Sequence, residues 1–161
     1  MYIRAIMGAT LAAVILLPGA YAAERDAVVG QWVTDGGKSR VEISKLDGKY
    51  VGKLAWLKDR VYEEDDAEAG KIVHDRENPD KSKRNRPVLG LSILKGFVYT
   101  GKHMWKKGTI YDPENGKTYK CKMKLVSQNK LDVRGYIGIS MIGRTTVWTR
   151  YIKPKEVEKE K

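Results

Sequence analysis

The chain has 161 residues, with 31 Lys+Arg against 20 Asp+Glu and a formal net charge of +11. That length suits one domain able to close a core without staples, and the lone Cys121 excludes a framework of internal disulfides. The cation excess favours anionic surfaces such as phospholipid heads, lipopolysaccharide phosphates, nucleic acid or acidic polysaccharide, but lysines scattered along strand faces read first as a solubilising coat.

The N-terminus comes first in chain order. Met1 to Arg4 carries one cation, and no acidic residue precedes Glu24. An apolar run from Ala5 to Leu17 follows, then Pro18-Gly19 and the small-residue sequence Ala20-Tyr21-Ala22. Basic end, apolar segment and small residues in that order predict a secretory signal over residues 1–22, cleaved after Ala22. The run is shorter than the roughly 20 apolar residues a spanning helix needs, and no later segment reaches that length. The expected product is periplasmic or secreted, with no transmembrane span after cleavage.

From Gly30 the pattern has period two, broken by turn residues. Gly30 to Thr34 reads as a strand, Asp35-Gly36-Gly37-Lys38 as a turn, and Ser39 to Leu46 as a second strand with Val41 and Ile43 on one face. Asp47-Gly48 is a hairpin signal, and Lys49 to Leu57 returns with Tyr50, Leu54 and Trp56 in line. Residues 58–87 are charged and include Glu63-Glu64-Asp65-Asp66. They read as a long connection, with a short helix or strand near Ala67 to Val73, and a connection of that length is either functional or mobile. Val88 to Phe97 is apolar and fits a strand or a short helix.

Gly108 to Asp112 leads into the turn Pro113-Glu114-Asn115-Gly116. Lys117 to Val126 alternates cleanly, with Tyr119, Cys121, Met123 and Leu125 on one face and Lys120, Lys122 and Lys124 on the other. Cys121 is thereby placed in the core as a small hydrophobe. After a turn at Asn129-Lys130, Leu131 to Gly138 and Gly143 to Ile152 complete the fold, and residues 153–161 read as a charged, disordered tail. The domain accordingly spans residues 23–152. Its roughly seven or eight strands would leave two open edges unless they closed, so an all-β, antiparallel up-and-down barrel of about eight strands with one long connection is expected, with a sandwich as its rival.

Gly30-Gln31-Trp32 on the first strand and Trp148-Thr149-Arg150 on the last resemble the lipocalin and calycin signature. The resemblance implies that Trp32 plugs the closed end of a barrel, that Gly30 permits close approach, and that Arg150 stacks on the indole. A second lipocalin signature, a Thr-Asp-Tyr run, is absent. Longer strings cover nearly the whole exported part: Asp75-Arg76-Glu77-Asn78-Pro79-Asp80, Arg84-Asn85-Arg86-Pro87-Val88-Leu89-Gly90-Leu91, Gly108 to Tyr119, Val133-Arg134-Gly135-Tyr136-Ile137-Gly138, and Gly143 to Arg150. Together they resemble the domain-of-unknown-function 2147 family, exported bacterial proteins with a calycin-like barrel. The resemblance implies a fold and a compartment and carries no activity with it.

The residues offer little catalytic chemistry. His74 and His103 stand apart, outside metal-ligand spacing, and no Ser or Cys sits in a nucleophile motif. The acidic run Glu63 to Asp66 reads as solvated and lacks the spaced oxygens of a calcium loop. A carboxylate pair such as Asp35 with Asp80 is the remaining catalytic option, and no cofactor or metal is expected. In the connection, Asn78, Asp80 and Arg86 are candidates for a recognition loop or for a tie in which Asp80 pairs with Arg84 or Arg86.

Arg134 and Tyr136 share one strand face, and Arg144, Thr146, Trp148 and Arg150 share another. If both faces point inward, Arg134, Tyr136, Arg144 and Trp148 line a cationic, aromatic pocket for a small acidic or amphipathic ligand; if outward, the interior is filled by aliphatic side chains. The tip Gly138 to Gly143 is apolar, fitting a partner or membrane contact, or a cover for the barrel end. Two readings follow: a non-catalytic binding protein for that ligand in the bacterial envelope, or a packed scaffold whose basic exterior meets an anionic envelope surface or a protein partner. No specific nucleic acid is expected as a partner.

Overall fold

The computed structural model describes residues 23–154, so the expected leader and residues 155–161 of the expected tail lie outside the described residues. Eight antiparallel strands follow one another around a closed barrel: β1 Gly30–Val33, β2 Ser39–Leu46, β3 Lys49–Leu57, β4 Ser92–Tyr99, β5 Met104–Asp112, β6 Lys117–Ser127, β7 Lys130–Tyr136 and β8 Gly143–Arg150. Every strand pairs with its neighbours in sequence, and β1 closes on β8 through Trp32↔Arg150 and Val33↔Thr149. Closure leaves no open edge, which is the physical reason for preferring a barrel to a sheet or sandwich. Among the described residues no helix is long and apolar enough to cross a membrane.

Two β-bulges shift the expected alternation. In β3, Val41 pairs with Leu54 while Arg40 pairs with Trp56, so one residue is extra and the phase reverses. Tyr50 and Leu54 are buried, but Trp56 is turned out beneath the Arg40 guanidinium, 4.6 Å from its ring, and does not continue their line as expected. In β5, Trp105 pairs with Met123 and Gly108 with Cys121, leaving Lys106 and Lys107 against a single partner position. That break hides the first residues of β5, which starts at Met104 rather than Gly108. The ambiguous apolar stretch is strand from Ser92, and it turns into β5 through Gly101, Lys102 and His103, all at positive φ.

The core is concentrated at one end of the barrel, where the β2–β3, β4–β5 and β6–β7 turns lie. Trp32, Tyr50, Phe97, Trp105, Met123 and Leu131 are fully buried there. Residues 23–28 cross beneath them as a plug: the Trp105 indole N–H donates to the Arg25 carbonyl (3.2 Å), and Tyr50 donates to Asp26 (2.6 Å). Val28 is wholly buried, and its carbonyl accepts from Trp32 Nε1 at 2.8 Å.

Candidate functional site

Arg150 seals the plugged end. Its Cζ lies 4.2 Å over the Trp32 ring, and its three nitrogens donate to the carbonyls of Gln128 (2.7 Å), Val29 (3.0 Å) and Ala27 (2.7 Å). Burial lowers its pKa, because a charged group loses solvation there. Gly30 has φ +126°, and a Cβ on it would stand 3.1 Å from Arg150 Nη1, so glycine is needed both for the backbone and for the approach of the guanidinium.

The opposite end is hollow. A cavity of about 1170 Å³ opens between the β1–β2 loop, the long connection, the β5–β6 turn and the β7–β8 tip. Its depth is apolar: Leu54, Ile93, Ile110, Val133 and Trp148 come from β3, β4, β5, β7 and β8, each at an inward position of its strand. Its rim is polar, with Lys38, Asp35, Asp59, Glu63 and Arg144 among the side chains that face the opening.

The two faces that sequence left undecided are oriented oppositely. On β8, Trp148 is buried against Leu131, with Thr146 and Arg144 rising above it along the cavity wall. On β7, Leu131 and Val133 are the inward residues, so Arg134 is outside. Its guanidinium donates to the carbonyls of Ser140 (2.8 Å) and Met141 (3.2 Å) and to Thr145 Oγ1 (2.9 Å), holding the tip loop. Arg144, Trp148 and the rim residue Tyr136 therefore meet at the cavity, and Arg134 does not join them. The Arg144 side chain forms no hydrogen bond or ion pair among the described residues.

The connection forms one wall of the mouth and is ordered by its own bonds. Val61 bridges Ile72, His74 bridges Pro87, and the Val88 amide donates to the Val73 carbonyl. Its anchor is Asp75, fully buried, whose carboxylate accepts from Tyr111 OH (2.6 Å), Asn78 Nδ2 (2.7 Å) and Arg86 Nε (2.8 Å). A buried carboxylate needs such a set of donors. Burial and the bond to Asp75 push the Tyr111 phenol up to about 12.

The tie expected from Asp80 to Arg84 or Arg86 is thus made by Asp75 to Arg86. Asp80 instead caps the short 3₁₀ turn Lys81–Lys83, accepting from Ser82 and Lys83, and these bonds, Lys83 first, bring its pKa down to about 2. Arg84 donates to the Asn78 carbonyl (2.8 Å). Asn78 and Arg86 meet at the anchor and Asp80 stands apart. Asp35 lines the cavity while Asp80 does not, so the two carboxylates do not share that space. Further out, Arg76 grips Asp66 with two bonds (2.8 and 2.9 Å) and lies 4.4 Å over Tyr62, while His74 sits between the Arg84 carbonyl (2.7 Å) and Glu68 (2.9 Å). Sequence gave no role to Asp75 or Tyr111. Both lie inside the family-like strings, but a carboxylate in a charged run reads as solvated.

An eight-stranded up-and-down barrel, plugged by the first-strand tryptophan under a last-strand arginine and open at its far end, is a lipocalin-like calyx. The chain belongs to the family described as "Uncharacterized protein conserved in bacteria (DUF2147)", which matches residues 30–150. It is similar to a solved structure titled "Protein HP1028 from the human pathogen Helicobacter pylori belongs to the lipocalin family", with TM-score 0.67 and 24% identity over 78% of this chain and 84% of that one. That likeness is one of fold. No curated protein matches the chain.

Proposed function

We propose that the protein is a non-catalytic carrier of a small amphipathic ligand in the bacterial envelope, exported by its N-terminal signal. The observation that carries this reading is the half-filled barrel: side chains pack one end, and the other keeps an apolar-floored cavity of about 1170 Å³. Calyx barrels of about this strand number either fill with side chains or hold one small ligand, and a cavity with an apolar floor and a polar rim suits an amphiphile. The apolar part would rest on Trp148, Ile110 and Ile93, with the head group at the rim. Arg144, a cation without an internal partner on the same strand face as Trp148, is the candidate contact for an acidic head.

A thermal-shift and native mass-spectrometry screen tests the proposal with pairs of equal chain length, a fatty acid beside an alkyl amine. Stoichiometric one-to-one binding of the fatty acid is expected, lost in Thr146→Trp, which fills the wall, and weakened in Arg144→Ala. Absence of binding by every amphiphile would overturn the carrier reading. Preference for the amine would transfer the head group to rim carboxylates such as Asp35 and Glu63. Export is checked by fractionation and N-terminal sequencing, with Ala23 expected as the first residue.

A further inference from the structure

The outer face of β5, β6 and β7 carries an arrangement that folding alone disfavours. Lys120, Lys122 and Lys124 alternate with the buried Cys121, Met123 and Leu125, so all three project from the outer face of β6. Lys122 stands opposite Arg134 on one side, and on the other the β5 bulge sets both Lys106 and Lys107 against it. Like charges directly across a sheet destabilise it. Lys107 also adopts φ +65°, an uncommon conformation for a residue with a side chain.

Among the described residues none of these six cations forms a salt bridge, although Asp132 lies opposite Lys124 in register. The same surface ends in the β7–β8 tip, where Ile137, Ile139, Met141 and Ile142 are 66%, 62%, 84% and 66% exposed. Arg134 belongs to both, being part of the cationic face and holding the Ser140 and Met141 carbonyls of the tip.

From this juxtaposition we infer that the β5–β7 face and the adjoining tip dock the protein on an anionic phospholipid bilayer. Cations over a broad face gather anionic head groups, and exposed aliphatic side chains beside them enter the interface, which is the pairing that peripheral membrane attachment uses. A soluble polyanion would use the lysines but give the apolar tip nothing to bury. Ile137 and Ile142 also line the cavity, so docking in this orientation brings one side of the mouth to the lipid surface.

Vesicle flotation with the full exported chain tests this, using phosphatidylglycerol–phosphatidylcholine vesicles beside phosphatidylcholine alone, across a salt series. Binding is expected only to the anionic vesicles and is expected to fall as salt rises, since exposed charges are screened. The triple variant K120E/K122E/K124E should bind at least about a hundredfold more weakly, the loss of each basic residue at such a surface being worth about fivefold before the added repulsion of the glutamates. The same charge change at Lys49, Lys81 and Lys153, off this face, should cost much less. Ile139→Ser with Met141→Ser should weaken attachment and leave its salt dependence in place. Circular dichroism melts establish that each variant is folded. Equal losses from the two triple variants, or binding to heparin without binding to anionic vesicles, would overturn the inference. It stands apart from the carrier reading, because a barrel that binds no amphiphile could still dock.

Discussion

Arg150 connects four pieces of the molecule: the indole of β1, two carbonyls of the plug region and the turn before β7. Charge-assisted bonds of this kind are worth about 1.5–3 kcal/mol when a partner is removed, so Arg150→Ala should lower unfolding free energy by about 3 kcal/mol in a denaturant titration. Trp32→Ala, which empties the centre of the packed end, should cost about 3–5 kcal/mol. Cys121 makes a chemical prediction. Burial pushes its thiol up to about 12, so it should resist alkylation at pH 8 in the folded protein and react at once in denaturant. Asp80 makes one about acid. Its folded pKa of about 2 lies below the ordinary 3.8, so the cap it forms is fully present above pH 3.8 and is lost as the pH falls towards 2. The protection factor of the Ser82 amide, its exchange rate corrected for the intrinsic pH dependence, should fall in that window.

At the scale of elements, the long connection behaves as a built wall, and its hold on the barrel is concentrated at Asp75. Asp75→Ala would strand the Tyr111 hydroxyl and the Arg86 guanidinium together and should cost about 2–3 kcal/mol. Gly116 is the second point of contact. It has φ +69°, and a Cβ there would collide with the Glu77 carbonyl, so Gly116→Val should push the β5–β6 turn away from the connection. Limited proteolysis should then cut residues 58–87 well before the barrel in both variants. Strands with an unbroken period of two, β2 and β6 above all, were legible in sequence because their inward residues are apolar and their outward ones charged. What failed was phase. The bulge before Trp56 and the one at Lys106-Lys107 each insert a residue, and no side-chain pattern announces an insertion. Arg134 and Arg144 show the same limit: each strand's faces were readable, but which face turns inward depends on the geometry of the tip between them. Asp75 makes the tie expected of Asp80, its neighbour in one polar run, because burial was not visible there.

At the scale of the molecule, the closed barrel and its terminal tryptophan–arginine pair were readable from two short signatures at opposite ends of the chain, whereas the hollow mouth was not. Whether a barrel is filled depends on where its bulky residues sit along the axis, and here Trp32, Tyr50, Phe97 and Trp105 all gather at the plugged end. The topology also has a kinetic corollary. Seven of the eight strand pairings join neighbours in sequence, and only β1 with β8 spans the chain, through two register pairs. Local hairpins close quickly and distant ends slowly. The tight hairpins can therefore form first, β3 and β4 must then meet across residues 58–91, and the seam is sealed last. In pulse-labelled refolding, protection of the Tyr151 amide, which donates to the Gln31 carbonyl across the seam, should lag that of the hairpin amides, and the lag should vanish when the seam is tethered in advance by a disulfide in Val33→Cys with Thr149→Cys.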